Sequence, residues 1–426
     1  MNLIQYKLAF LLLLPFLLSC GSDELVRPEK KVVEPEEPVF VEAKHGFPSN
    51  IDFANCIKPN HKTQDELNAD VISYYNYWKG KYVKTSNGKT PGGGYYVSMK
   101  GTGGDGSEIT TSEAHGYGMI IFALMAGHDK DAKKYYDGFY NMYDKHRSTG
   151  NSYCMSWVIH ESESSSEDQG SATDGDMDVM YSLLLADKQW GSESGIDYLA
   201  QSQDGIKKGL KIADMSTNSK RVMMGDWDSN QWSTRSSDWM TAHFRNFAHA
   251  TNDGFWLDAS STVYALIASL TTNYSPNTGL MPDFIVDQTP KPAPENYLDE
   301  FKETDEYNWN ACRYPWRITT DYAHFGTNDA QQAMKKLMDF IIDSTDGQPS
   351  EIKAGYYLNG SPMVSYKSGA FTAPLVSASM VDVKYQDFLN AGWDEVSQLR
   401  DTYYGDTLCL LNMLLISGNW WNPKDM

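Results

Sequence analysis

Apolar residues recur along most of the chain at the spacing of an α-helix. In one clear case Leu67, Val71, Ile72, Tyr75 and Trp78 fall on a single helical face. Strict alternation of apolar and polar positions over the length of a strand is scarce. Comparable helical stripes run through residues 117–125, 132–143, 179–190, 196–212, 239–250, 260–270, 330–342 and 407–416, with weaker ones at 318–325 and 370–380. The pattern predicts an all-α chain.

These segments amount to about a dozen helices, and loops rich in Gly, Asn and Ser separate them. Such a number suits either an all-helical toroid of paired helices or a helical solenoid. No repeated sequence unit is visible, which counts against a regular solenoid. No second low-complexity linker interrupts the chain beyond its N-terminal segments, so we expect one large domain over residues 46–426.

The N-terminal segment Met1–Cys20 is typical of an export signal. Lys7 precedes an apolar run, Leu8–Leu18, that is too short to span a bilayer comfortably. The pair Ser19-Cys20 resembles the lipobox of bacterial lipoproteins, which implies a lipid on Cys20 after cleavage. The alternative is an ordinary secretory signal that ends in an incidental cysteine.

Residues 21–45 are mostly charged residues and proline, and they predict a tether because they are too polar to bury a core. Asp23-Glu24, close behind Cys20, is similar to signals that direct lipoproteins to the outer face in some Gram-negative bacteria. We therefore expect an exported protein that is anchored in the outer membrane by its lipid alone and faces the cell surface.

The charge balance and the cysteines narrow the choice of partners. A net charge of -20 at pH 7 argues against binding to nucleic acid, whose phosphates this protein would repel. Cys56, Cys154, Cys312 and Cys409 lie far apart without a CxxC pair and do not predict a zinc site. Because exported chains can form disulfides, the sequence leaves open whether one or two join these cysteines. We expect a monomer with no cofactor and no metal.

Aromatic residues make up 13 % of the chain, with 12 Trp and 27 Tyr, and many fall between the helical stripes. Aromatic rings in loops often form platforms on which the C–H faces of sugar rings stack. They also close the ends of large helical cores. The candidates for contact with a sugar are Tyr117, Trp232, Tyr307 and Trp309.

The stretch Ser112–Met119, with the sequence SEAHGYGM, begins one helical stripe. Ser112 is a suitable N-cap and places Glu113 in the first turn, where acidic residues are also common for purely electrostatic reasons. Gly116 and Gly118 weaken a helix and are poor choices there unless another group approaches the backbone closely.

Three aspartates, Asp174, Asp176 and Asp178, alternate before another helical stripe. A calcium loop of the EF-hand type requires Gly and Glu at the positions of Val179 and Leu185, so that interpretation is weak. Helix capping by Asp176 or Asp178 accounts for one aspartate but not for all three. A catalytic or sugar-binding carboxylate at the helix N-terminus is the remaining interpretation.

Four ordered stretches together resemble glycoside hydrolase family 8. They are Ser112–Met119, Ala172–Asp176 running on to Trp190, Thr234–Met240 leading to Arg245, and Asn310–Arg317 leading to Tyr322. The resemblance covers essentially the whole domain. It implies an (α/α)6 barrel, in agreement with the number of helices.

The resemblance also implies inverting, endo-acting hydrolysis of a β-1,4-linked polysaccharide, with xylan or a β-glucan as the expected substrate. In this reaction one carboxyl protonates the leaving oxygen while a carboxylate, about 6.5 to 9.5 Å away, activates water on the opposite face of the sugar. Glu113 is then the general acid, Asp174 holds the sugar at the cleavage point, and Arg313 lies at the floor of the cleft.

Asn310 departs from the commonest family pattern, which has the general-base aspartate at this position. Asparagine cannot accept a proton from water at neutral pH. A branch of the family with Asn here draws its base from an inserted loop just upstream, and residues 288–307 are such a loop. The resemblance of Asn296–Glu300 to that branch favours Glu300 or Asp299 in nearly equal measure. A solvated acidic surface is the alternative for any one carboxylate.

Three other functions stay open. A strongly acidic cleft attracts the ammonium groups of chitosan, which allows a chitosanase. The insertion 288–307 allows a reducing-end exo-oligoxylanase if it closes the cleft. Asn310 allows a non-catalytic surface protein that binds glycans, if it marks a lost base.

Overall fold

The structure is a computed structural model that describes residues 41–101, 106–163, 170–299 and 302–426. These ranges contain twelve α-helices, α1 to α12 in chain order, and a π-helical segment, Gly205–Asp214, that continues α5. The helices are Gln64–Tyr82, Ser112–Met125, Ala132–Lys145, Thr173–Trp190, Tyr198–Asp204, Thr241–Thr251, Phe255–Asn273, Tyr314–Phe325, Asn328–Ser344, Gly369–Ala378, Gln386–Gln398 and Tyr403–Ile416. Every predicted stripe coincides with helical structure, apart from its ends.

The even-numbered helices form an inner ring. Each packs against the next from α2 to α12, and α12 closes the ring by packing against α2. The odd-numbered helices lie outside, for example α3 against α2, α5 against α4, α7 against α6 and α9 against α8. This arrangement is the (α/α)6 barrel that the resemblance implies, and a closed ring excludes the solenoid.

Burial follows the two rings. Every residue of α12 is buried, and so is every residue of α2 except Glu113. An outer helix such as α9 buries a single stripe, Ala330, Met334, Leu337, Met338 and Ile341. A helix that is apolar on all sides belongs inside a large core, whereas an amphipathic one covers it. Glu113 is therefore the one residue of α2 that the core leaves partly open.

Helix α11 is missing from the helices predicted from the sequence. Its buried residues Phe388, Leu389, Trp393 and Val396 do form a helical stripe. Gly392 lies in the middle of this stripe and packs against Val376 of α10, where an added Cβ would lie 2.6 Å from the Val376 side chain. A glycine lowers helix propensity, and here it serves close packing instead.

Within the described ranges, seven short antiparallel strands lie in the connections. β1 (Val83–Thr85) pairs with β2 (Tyr95–Val97), and β3 (Glu108–Thr111) pairs with β4 (Val158–His160). A third sheet consists of β5 (Thr234–Arg235), β6 (Phe284–Val286) and β7 (Lys291–Pro292). β3 runs directly into α2, and β7 lies inside the insertion 288–307, near its start.

The last two residues of the predicted tether contact the domain, since the N–H groups of Lys44 and His45 donate to Gln189 O and Oε1 at 3.0 and 2.7 Å. The four cysteines of the described residues are unpaired, so they form no disulfide with one another.

The export signal, Cys20 and the tether up to residue 40 lie outside the described residues. In the ranges that are described, none of the helices combines the length and the apolar character that crossing a membrane requires.

Candidate active site

The N-terminal ends of inner helices meet at one end of the barrel and carry the polar groups of the candidate site. Glu113 lies in the first turn of α2 and Asp174 in the first turn of α4. Arg313 directly precedes α8, and Tyr403 is the first residue of α12. Helix N-termini carry partial positive charge and unpaired N–H groups, so this end of the barrel suits carboxylates.

Close packing of α2 on α4 brings Glu113 and Asp174 together. A Cβ added to Gly116 would lie 2.6 Å from Asp178 Cβ, and one added to Gly175 would lie 2.4 Å from Ser112 Oγ. The two glycines therefore allow the helices to cross at close range. This confirms that the unfavourable glycines of α2 serve the approach of another group.

The cap of α2 differs from the prediction. Thr111 is the N-cap, because its Oγ1 accepts a hydrogen bond from Ala114 N at 3.2 Å. Ser112 is the first helical residue, with its Oγ buried. The shift leaves Glu113 in the first turn as predicted.

Arg313 joins the two carboxyls. Its Nη1 donates to Glu113 Oε2 and to Asp174 Oδ2, the second at 2.5 Å. Arg313 and Asp174 are almost fully buried, whereas 16 % of the Glu113 side chain is exposed. Tyr403 Oη lies 3.5 Å from Glu113 Oε1. The structure thus brings Glu113, Asp174 and Arg313 into contact, as the family resemblance implies.

The surroundings move the pKa values of the two carboxyls in opposite directions. Burial raises the pKa of Glu113 to about 7, and the negative charge of Asp174 adds to this against the opposing effect of Arg313. Burial would also raise the pKa of Asp174, but Arg235 and Arg313 outweigh it and hold that pKa at about 2. One carboxyl therefore keeps its proton near neutral pH while the other is ionised.

Asp176 and Asp178 have structural partners and cap no helix, which corrects the capping prediction. Asp176 Oδ1 accepts a hydrogen bond from Met155 N at 2.6 Å. Asp178 binds both terminal nitrogens of Arg317, at 2.8 and 2.6 Å, and His243 Nε2 at 2.9 Å. Residue 172, an alanine, occupies the N-cap position of α4 without a side-chain hydrogen bond.

Among the described residues, Cys154, Asp176 and Asp214 are the group with metal-ligand atoms close together, within 4.8 Å of one another. All three are buried. Burial and the mutual repulsion of carboxylates raise the pKa of Asp176 well above its ordinary value, and burial with the charge of Asp226 raises that of Asp214 to about 7.

Asn310 lies next to Arg313 and is also buried. Its Oδ1 accepts a hydrogen bond from Arg313 Nη2 at 3.0 Å, and its Nδ2 donates to Asp283 Oδ2 at 3.3 Å. Asp283 is missing from the residues singled out in the sequence, because an isolated aspartate after Met281-Pro282 carries no recognisable signal.

The two base candidates fall at the end of the described range 170–299. Glu300 and the side chain of Asp299 lie outside the described residues. The preceding residue, Leu298, lines the cavity described below and has a φ of 66°. The flanks of the loop are tied together, since Tyr297 N donates to Thr304 Oγ1 at 3.0 Å and Asn296 N to Lys302 O at 2.9 Å. The insertion therefore reaches the cavity just before its two candidate carboxylates.

A cavity of about 620 Å³ adjoins the paired carboxyls. Thr111 and Ala172, the N-cap residues of α2 and α4, line it, as does Arg235, whose Nη2 lies 3.8 Å from Asp174 Oδ1. Trp157 and Trp227 also line the cavity and are 48 % and 53 % exposed. Large aromatic rings this exposed are available to stack on a ligand.

The sequence analysis selected other aromatic residues. Tyr117 and Tyr307 are wholly buried, so the prediction that their rings contact a sugar is wrong. Trp232 and Trp309 are half-buried and lie outside the lining of the cavity. Trp309 packs against Phe371 with ring centroids 5.0 Å apart. Trp157 and Trp227 both carry the signal that could have found them, because each is an aromatic residue between helical stripes.

Known proteins resemble the chain over most of its length. A family model described as Glycosyl hydrolases family 8 matches residues 68–418. An endoglucanase of Bacillus sp. (strain KSM-330) is 42 % identical over 380 residues, which cover 88 % of this chain and 82 % of that protein. A beta-glucanase of Niallia circulans is 39 % identical over 394 residues, covering 91 % of this chain and 94 % of the other.

A solved structure agrees with these two relatives. The apo structure of a beta-1,3-1,4-glucanase from Paenibacillus sp. X4 superposes with a TM-score of 0.84 at 39 % identity, over 88 % of this chain and 99 % of that one.

Proposed function

The chain belongs to glycosyl hydrolase family 8, and from this membership and the paired carboxyls we propose that it hydrolyses internal β-1,4 bonds of a β-glucan with inversion of configuration. The observation that carries the proposal is the contact of Glu113 and Asp174 with one arginine, in surroundings that keep the first protonated and the second ionised. Pairs of carboxyls with separated pKa values are typical of glycosidases.

In the proposed mechanism Glu113 is the general acid. It gives its proton to the glycosidic oxygen as the bond from that oxygen to the sugar C1 breaks. Asp174 stays ionised next to Arg235, which lines the cavity, and there it can accept hydrogen bonds from the sugar and stabilise positive charge developing at C1. Arg313 holds both carboxyls in place through its Nη1. The water that attacks C1 loses its proton to a general base.

We propose that this base is Glu300 or Asp299 on the insertion 288–307. Supporting this, Leu298 lines the cavity and the flanks of the loop are hydrogen-bonded to each other. Asn310 fits the same assignment, because its amide is engaged by Arg313 and Asp283 and has no basic group for a proton. The chain would then belong to the branch of the family that has Asn at this position.

The relatives favour a β-glucan over xylan and chitosan. The proteins at 39 to 42 % identity are named endoglucanase, beta-glucanase and beta-1,3-1,4-glucanase. We propose mixed-linkage β-glucan as the polymer that is cleaved fastest. The test is reducing-sugar release from this glucan, carboxymethyl cellulose, xylan and chitosan, with early product sizes resolved. A spread of oligomers confirms internal cleavage, a single sugar indicates exo action, and binding without release identifies a non-catalytic protein.

The pH dependence of hydrolysis follows from the pKa of Glu113. Because a general acid works only when protonated, kcat/KM should fall as pH rises through about 7, by about tenfold per unit on the alkaline side. A profile of kcat/KM from pH 5 to 9 on β-glucan measures this, with folding checked at each pH by circular dichroism. Activity that stays constant up to pH 9 with the fold intact would contradict Glu113 as the acid.

Substrate binding should depend on Trp227. Replacing this exposed ring by alanine removes a stacking surface of the cavity, so we expect Trp227→Ala to raise KM for the polymer about fivefold to tenfold with little change in kcat. Trp232→Ala is the matched control, because this tryptophan follows closely in sequence but does not line the cavity. An equal rise of KM in both variants would count against a specific stacking role.

We also propose that the protein is attached to the outer membrane through a lipid on Cys20, facing the cell surface, with residues 21–43 as its tether. The support is the lipobox-like Ser19-Cys20 and the charged, proline-rich composition that follows. Radiolabelled palmitate should be incorporated into the full chain but not into its Cys20→Ser variant. Equal labelling of both would contradict the anchor.

A further inference from the structure

Asp283 sits behind the candidate active site as a buried acceptor of four N–H groups. Its Oδ1 accepts hydrogen bonds from the backbone of Asn308, Asn310 and Ala311, at 3.1, 3.1 and 2.6 Å. Its Oδ2 accepts a fourth, from Asn310 Nδ2, at 3.3 Å. The side chain is fully buried. Donors alone surround these oxygens in the described contacts, and they favour the ionised carboxylate, whereas burial opposes it and raises the pKa of Asp283 to about 7.

The bond to Asp283 decides which way the amide of Asn310 points. Since a carboxylate only accepts, the Nδ2 group must face Asp283, and Oδ1 is then left to face Arg313. Arg313 Nη2 donates to this oxygen at 3.0 Å, and its Nε approaches the carbonyl oxygen of Asn310 at 3.4 Å. One face of the guanidinium is thereby fixed by Asn310 while Nη1 points to the two carboxyls.

We propose that Asp283 is a positioning residue for the reaction: it fixes the amide of Asn310, which in turn holds Arg313 against Glu113 and Asp174. The inference rests on the proposed function, because it assigns a role in the same site. Asp283 touches neither Glu113 nor Asp174 in the described contacts and acts only through Asn310 and Arg313.

The arrangement also gives a physical reason for an amide at position 310. An aspartate there would place a second carboxylate about 3.3 Å from that of Asp283, in a site without solvent. Two buried carboxylates at this distance cannot both ionise. Asp283 therefore favours an amide at position 310, independently of where the general base lies.

An exchange of the two side chains tests the proposal. Asp283→Asn places an amide N–H group against that of Asn310, and Asn310→Asp places two carboxylates together. Each single variant should lower kcat on β-glucan by about 10- to 100-fold with KM changed less than about threefold, because Arg313 loses its fixed acceptor. The double variant, in which amide and carboxylate have changed places, should recover kcat to within about tenfold of the wild type.

Asp321→Asn is the matched control. Asp321 is another buried carboxylate, on α8, bound to Arg245 and Tyr264 rather than to the site. This variant should lower the melting temperature and leave kcat of the folded enzyme near the wild-type value. An equal loss of kcat here would show that any buried charge defect impairs the site, which would overturn the specific role of Asp283.

The outcomes separate this inference from the proposed function. A double variant no more active than the weaker single one, with all proteins folded, overturns the positioning role. If Asp283→Asn does not fold, kcat of Asn310→Asp is compared with kcat of Asn310→Ala. A kcat of Asn310→Asp that equals or exceeds that of Asn310→Ala would overturn the positioning role of Asp283. If the wild type cleaves no glucan, the proposed function fails. The melting temperatures of the wild type, the two single variants and the double variant then still measure the coupling between Asp283 and Asn310. Losses of melting temperature that simply add in the double variant would overturn the positioning role.

Discussion

Glu113→Gln should reduce hydrolysis of β-glucan by a factor of about 10³ or more, because the substitution removes the transferable proton and little else. Glutamine has the same shape as a protonated glutamic acid, and its amide oxygen can still accept a hydrogen bond from Arg313. The barrel does not depend on this side chain, since Glu113 is the one residue of α2 that is partly exposed. The measurement is kcat on the polymer, together with glycan affinity and melting temperature.

Retained affinity of the Glu113→Gln variant for β-glucan would place its defect in the chemical step rather than in binding. Glu113→Gln should bind β-glucan about as tightly as the wild type, because Asp174, Trp157 and Trp227 are unchanged. Glu351→Gln, which alters an exposed side chain of the same type, is the control and should be fully active. Turnover of the Glu113 variant at more than about a tenth of the wild-type rate would contradict its role as the acid.

The part of the site that the sequence predicted is the part carried by helix N-termini. Glu113 and Asp174 each lie in the first turn of an inner helix, and Arg313 directly precedes a third. Once the helices are known to form a closed ring, these positions must face one another. The glycines of α2 also carried information, because a costly residue in a helix marks a close approach.

The part that the sequence did not predict depends on pairing between distant segments. Trp157 is exposed beside the site because β4 pairs with β3, and Asp283 lies under Asn310 because the chain around β6 returns there. Neither residue differs locally from a structural tryptophan or aspartate. The buried Tyr117 and Tyr307 show the converse: an aromatic residue near a motif more often completes the core than the cleft.

The three aspartates near the N-terminus of α4 show both what the sequence predicts and what it leaves undetermined. Asp174 and Asp178 are four residues apart and share one face of α4, whereas Asp176 points to another side of the helix. Asp174 faces Arg313, Asp176 faces the backbone of Met155, and Asp178 pairs with Arg317. The sequence indicated that one was functional, and only the neighbouring helices determine the partners of the other two.

Replacing the general base should have an effect nearly as large as replacing the acid. We expect Glu300→Gln or Asp299→Asn, but not both, to lower kcat by a factor of about 10² to 10⁴, because the attacking water then loses its proton acceptor. Whichever of the two variants keeps its activity is the matched control, because it makes the same kind of substitution one position away. Loss in neither variant, with Asn310 unchanged, would place the base outside this pair.

Azide distinguishes a lost base from a damaged cleft. Azide is an anion that attacks C1 without giving up a proton, so it needs no base, while Glu113 still protonates the leaving oxygen. In the base variant, added azide should restore bond cleavage and give a glycosyl azide of inverted configuration, in which the C1–N bond replaces the C1–O bond. Glu113→Gln should not be restored, because its defect lies in the leaving group. Recovery in the acid variant, or a product of retained configuration, would contradict the assignment of acid and base on opposite faces of the sugar.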